Sequence, residues 1–212
     1  RTRASDVFVI MVVMVICNLV SDVVTEYAVN HRDVVSEPFN YVWHVIFLIS
    51  LLSVCFLMYY YVISYIERDG SYNKVWEKRW TAVIWAACAL GIVVLPIEYI
   101  DTVHGSYSLG AKAYVLYVGV VYTLALILYN VFRYGRAVAP EKRRVICASV
   151  FIFALFAALQ MIFPYILVTG LGMSMMMMGI MMTAESPHQD YNRRTGFYNE
   201  LGLREFLGEL LY

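Results

Sequence analysis

Six long apolar runs follow one another along the chain: Val7 to Val29, Phe39 to Ile66, Trp80 to Ile100, Ala113 to Phe132, Val145 to Phe163 and Leu167 to Ala184. A helix needs about 20 mostly apolar residues to cross a hydrocarbon core, and it satisfies its own amides while doing so. The sequence therefore predicts an all-α fold, a bundle of six transmembrane helices over residues 1–185. The last two runs are parted by Pro164, Tyr165 and Ile166, which read as a tight turn because proline removes a donor from the helical ladder.

Composition excludes the alternatives. Of 212 residues, 61% are apolar or aromatic and 15% are charged, with a mean hydropathy of +0.66, which no soluble globule, disordered chain or coiled coil of this size shows. The first run is too long for a cleaved leader, and further runs follow it. Cys17, Cys55, Cys88 and Cys147 lie in or beside apolar runs without paired spacing, so they read as packing residues and not as a zinc knuckle or disulfide framework. Sixteen basic residues against sixteen acidic ones leave no cationic surface for nucleic acid.

Where the charges fall sets the expected orientation. With a cytoplasmic N-terminus and six spans, fourteen Lys and Arg lie inside, and only Arg32 and Lys112 outside. That asymmetry matches the positive-inside rule, and an odd number of spans would destroy it. Both termini are thus expected in the cytoplasm, with the lipid bilayer as the chain's first partner. The outer side carries six acids, Asp22, Glu26, Asp33, Glu37, Glu98 and Asp101, against those two cations.

Within the outer half, polar residues recur at helical spacing. Asn18, Asp22 and Glu26 are each four apart and share one face of the first span, with Ser21 and Thr25 beside them. A carboxylate facing lipid costs at least about 2.5 kcal/mol at the bilayer centre, so this face is expected to turn inward. Asn40 and His44 start the second span, Pro96, Glu98, Tyr99 and Asp101 end the third, and Gln160 ends the fifth. Pro96 frees the carbonyl of Ile92 and is expected to bend its helix there. The expected site is an outward-facing pocket lined by Asp22, Glu26, His44, Glu98, Tyr99, Asp101 and Gln160. Its excess of carboxylates points to a small cationic or amine-bearing ligand. A metal held by His44 and carboxylates is a weaker reading, since no HxxxH or HxxxD pair occurs. Nucleophile-elbow, zinc-protease, phosphate-loop and dinucleotide motifs are all missing, so no catalytic residue is expected in the membrane part.

The sixth run is rich in Gly and Met, from Gly170 to Met182. Small residues allow close helix approach and thioethers repack without a fixed rotamer, so a mobile helix is expected.

After Glu185 the chain turns polar, and residues 186–212 form a second unit. Thr195, Gly196 and Asn199 precede an amphipathic stretch with Leu203, Phe206, Leu207, Leu210 and Leu211 on one face. This tail, about 25 residues, resembles the opening of a GGDEF domain of the diguanylate cyclase family, which reads D-x-L-T-G-L-x-N-R before a helix. Phe197 stands for the second Leu, Glu200 for the Arg, Asn192 for the Asp and Arg194 for the first Leu. The resemblance implies that Asn199 contacts the guanine base of a nucleotide, that GTP and Mg serve the output domain, that cyclic di-GMP is its product, and that the chain works as a homodimer. Its metal-binding and GGDEF residues would lie beyond Tyr212, so this chain itself is expected to hold no cofactor. The expected function is a membrane sensor that relays ligand binding through the sixth helix. The alternative is a six-helix solute-binding subunit of a transporter.

Overall fold

The computed structural model describes residues 3–67, 73–102, 105–135, 138, 140–163, 168–183 and 203. Each apolar run forms a helix: α1 (Arg3–Asn30), α2 (Glu37–Glu67), α3 (Val75–Val94), α4 (Ala111–Arg133), α5 (Pro140–Ile162) and α6 (Thr169–Thr183). Four of them, α1, α2, α4 and α5, are long and apolar enough to cross a membrane. Helix α3 has 20 residues but carries Glu77, Lys78 and Arg79 near its start, and α6 has 15 described residues. The GGDEF-like tail, Asn199 included and Leu203 alone excepted, and the turn at Pro164 lie outside the described residues.

Between α3 and α4 the fold departs from a pure bundle. Strands β1 (Glu98–Thr102) and β2 (Gly105–Leu109) pair antiparallel, with Tyr99 opposite Ser108 and Asp101 opposite Ser106. The helical run expected to reach Ile100 stops at Val94. Proline disfavours helical geometry in the residue before it, and Leu95 is extended at ψ 152°. Pro96 thus ends α3 where a bend within it was expected. On the far side of the hairpin, Gly110 takes φ +110° to turn the chain into α4, a conformation that side chains resist.

Helix α2 is the axis of the molecule: it packs against α1, α3 and α4, while α5 and α6 pair with each other and α6 touches α1. Most of α2 from Leu48 to Ile66 is buried. The polar face of α1 turns inward as its spacing requires, since Asn18, Ser21 and Thr25 are buried while Val20 and Val23 are exposed. Asn18 ties the two helices together by donating Nδ2 to Ser50 Oγ at 2.8 Å and to the Phe47 carbonyl at 2.9 Å. The outward residues are apolar, among them Ile10, Val13, Val118, Val121, Phe151 and Leu155. A surface of that kind suits lipid, where helices associate through packing and hydrogen bonds and not by escape from water. Close packing is visible at Gly172, where an added Cβ would sit 2.6 Å from Phe156 Cβ.

At the end of the bundle remote from the hairpin, a polar network joins α2, α3 and α4. Glu77 accepts from Lys74 Nζ at 2.9 Å, Tyr59 Oη at 3.1 Å and Asn130 Nδ2 at 2.6 Å. Lys78 pairs with Glu67 at 2.7 Å, and the Lys74 ammonium lies 3.8 Å from the Tyr134 ring centre. Both acids here are matched by cations.

Candidate functional site

At the hairpin end, a cavity of about 100 Å³ opens among α1, α2, β2, α4, α5 and α6. Asp22, Thr25 and Glu26 line it from α1, and His44, Phe47 and Leu48 from α2. Strand β2 contributes Ser106 and Ser108, α4 Ala113 and Leu116, and the last two helices Gln160 and Thr169. Four of the seven residues expected at the site, Asp22, Glu26, His44 and Gln160, meet here.

Asp22 is half-buried and accepts no hydrogen bond among the described residues. One of its oxygens lies 3.8 Å from where a Cβ on Gly170 would stand, so the carboxylate abuts the first turn of α6. The positive end of a helix dipole favours a carboxylate at that place. Glu26, one turn on, is exposed and accepts from Asn30 Nδ2 at 3.1 Å. Gln160 caps α6: its Oε1 accepts from Thr169 N at 2.8 Å and from the Thr169 hydroxyl. That bond joins the end of α5 to the start of α6 and leaves Gln160 a structural task as well as a place on the cavity wall.

His44 is only 3% exposed. Its Nε2 bonds Ser108 Oγ, its ring meets Phe47 and Tyr99 edge-on, and its Nδ1 has no partner. Thr25 Oγ1 is likewise buried without a partner. Each such group costs about 1–3 kcal/mol in a dry setting.

The other three expected residues sit on strand β1 and are not among those lining this cavity. Glu98 is exposed and rests against Gly110. Tyr99 lines a separate groove of about 640 Å³ with Arg32, Glu37, Asn40 and Tyr41, and the Arg32 guanidinium lies 5.0 Å from its ring centre. Asp101 is exposed, pairs with Arg32 and accepts from Ser106 Oγ at 2.5 Å. The Ser106 hydroxyl first, and Arg32 with it, hold the Asp101 carboxyl below its ordinary value of 3.8. These bonds, with Ser106 N donating to Asn30 Oδ1 at 3.0 Å, fasten the hairpin to the end of α1.

One buried cation escapes sequence reading. Lys112, counted by its position as a loop cation, is 2% exposed, and its ammonium has no hydrogen-bond partner. It sits 3.9 Å from the Tyr41 ring centre, within electrostatic reach of His44. A desolvated cation–π contact of this sort is worth about 2 kcal/mol or somewhat more, whereas burying an ion costs several. The available signal was Gly110, which ends the loop and draws Lys112 into the first turn of α4.

Among the described residues no group of three or more His, Cys, Asp or Glu is arranged to hold a metal, and the four cysteines are free. Compared with protein-family models, with curated proteins and with solved structures, the chain finds no match in any of the three.

Proposed function

We propose that this chain is the sensor region of a bacterial inner-membrane signalling protein. It spans the bilayer six times, α3 and α6 included, with both termini in the cytoplasm and the hairpin end facing outward. A small cationic or amine-bearing ligand enters from outside and binds Asp22 and Glu26 in the cavity. The observation that carries this reading is the position of Asp22: its carboxylate lines the cavity, has no hydrogen-bond partner among the described residues, and abuts the first turn of α6. A ligand cation that engages Asp22 also draws charge away from the positive end of α6, so occupancy acts on the helix that leads toward the tail. A ligand shifts an equilibrium only by its differential affinity for two states, and this contact supplies one.

Through α6 the signal reaches an output domain whose first segment is the GGDEF-like tail, with Asn199 placed for the nucleotide. On this reading GTP and Mg act in that domain, and two copies meet to make cyclic di-GMP. Placement of α6 at the cavity wall favours the relay over a transporter subunit, which needs no such link.

Two measurements test the proposal. Reading the gene beyond Tyr212 is expected to reveal a GG(D/E)EF segment, and a stop codon soon after Tyr212 contradicts the output domain. Titration of isopropylamine into the chain in lipid nanodiscs is expected to show saturable binding that Asp22→Asn weakens by about tenfold or more. Equal binding by wild type and variant contradicts the site.

A further inference from the structure

The larger recess at the hairpin end is the groove on which Tyr99 lies. Its volume of about 640 Å³ falls among those of pockets for drug-sized ligands, about 300–1,000 Å³, and it shares no lining residue with the cavity of Asp22. The first turns of α2 supply Glu37, Asn40 and Tyr41, the chain after α1 supplies Arg32, and Pro96 and Tyr99 come from the end of α3 and from β1. Each of its two rings carries a cation. The Arg32 guanidinium lies 5.0 Å from the Tyr99 ring centre, and the Lys112 ammonium 3.9 Å from that of Tyr41. Lys112 is not among the lining residues, so the groove meets Tyr41 without it. Asn40 is the buried member of the lining, at 3% exposed, and its Oδ1 has no hydrogen-bond partner among the described residues.

Charge narrows what such a groove takes. An acid finds the Arg32 guanidinium already paired with Asp101, and an amine finds only the exposed carboxylate of Glu37, which shares the lining with that guanidinium. A neutral molecule meets neither difficulty. A guanidinium attracts the face of an electron-rich ring, and a tyrosine ring stacks with the same partner. The orphaned acceptor on Asn40 costs about 1–3 kcal/mol while unmet, and calls for an N–H or O–H on the edge of that ring. We propose that this groove is a second binding site, for a neutral aromatic molecule of the indole or phenol class. The ring lies against Tyr41 and the Arg32–Tyr99 pair, and its N–H or O–H donates to Asn40 Oδ1. This site stands apart from the amine cavity and does not depend on it.

Calorimetry on the chain in lipid nanodiscs tests this, with empty nanodiscs as the reference for partition into lipid. Indole is expected to bind saturably, and about threefold or more tighter than benzofuran, which keeps the rings and replaces the N–H by an acceptor oxygen. Asn40→Leu is expected to erase that preference while both molecules still bind. Tyr41→Leu, at an exposed ring, is expected to weaken both by about threefold or more. Asp22→Asn is expected to leave indole binding as it is. Equal affinity for indole and benzofuran, or uptake no greater than that of empty nanodiscs, overturns the proposal. So does a preference that survives in folded Asn40→Leu, or indole binding that is lost with Asp22→Asn. Should Asn40→Leu fail to fold, the comparison of the two molecules on the wild-type chain decides alone.

Discussion

The two ends of the bundle carry similar residue types in opposite states. At the end remote from the hairpin, Glu67 and Glu77 meet Lys74 and Lys78 within 3 Å, and Tyr59 and Asn130 complete the set. One atom there, Asn130 Oδ1, lacks a partner. At the hairpin end, the Lys112 ammonium and one atom each of Asn18, Thr25, Asn40 and His44 are buried with no hydrogen-bond partner among the described residues, and half-buried Asp22 accepts no hydrogen bond from them either. A matched network rigidifies a fold, whereas unmatched groups around a cavity cost stability that a ligand restores on binding. On the reading proposed above, the difference separates a joint from a site.

The largest expected effect lies at the joint. Glu77→Ala strands the Lys74 ammonium and the Asn130 amide, and is expected to destabilise the chain by about 3–5 kcal/mol in reversible unfolding from micelles. A loss below about 1 kcal/mol would erase the contrast between the ends. Next comes Lys112→Met, which removes an orphan charge and keeps the volume. It is expected to leave unliganded stability unchanged or to raise it by about 1–2 kcal/mol, and a marked loss would mean that Lys112 is a structural residue. Asp22→Asn is expected to change unliganded stability by less than about 1 kcal/mol while weakening amine binding, so unfolding and binding measured together sharpen the assignment.

The smallest effect concerns the hairpin clasp. Because Ser106 and Arg32 hold the Asp101 carboxyl below 3.8, its contribution is complete above that value and is lost as pH falls through the lowered one. Hydrogen exchange at the β1–β2 amides is therefore expected to stay constant from neutral pH down to about 5, after correction for intrinsic rates, and to quicken below about 4. Quickening in the neutral range would place the clasp elsewhere.

Much of this architecture was legible in the sequence. Apolar length marked all six helices, and the four-residue spacing of Asn18, Asp22 and Glu26 foretold a face that buries Asn18 and sets Asp22 and Glu26 on the cavity wall, because lipid tolerates neither amide nor carboxylate. The hairpin was not legible from apolar content, since Tyr99, Ile100 and Tyr107 are as greasy as a helix end. Its signals were Pro96 and the glycines at 105 and 110. Glu98, Tyr99 and Asp101, on strand β1, left the cavity lining for the same reason. Lys112 was hidden because a charge count locates a residue along the chain, not its depth in the fold.

Thiol labelling addresses the central claim most directly. In a background with Cys17, Cys55, Cys88 and Cys147 replaced, Thr25→Cys places one thiol on the cavity wall between Asp22 and Glu26. A small charged methanethiosulfonate added to intact cells is expected to label it from outside, and saturating isopropylamine is expected to slow that labelling. Reaction only after permeabilisation, or a rate indifferent to the amine, would contradict an outward cavity that binds amines.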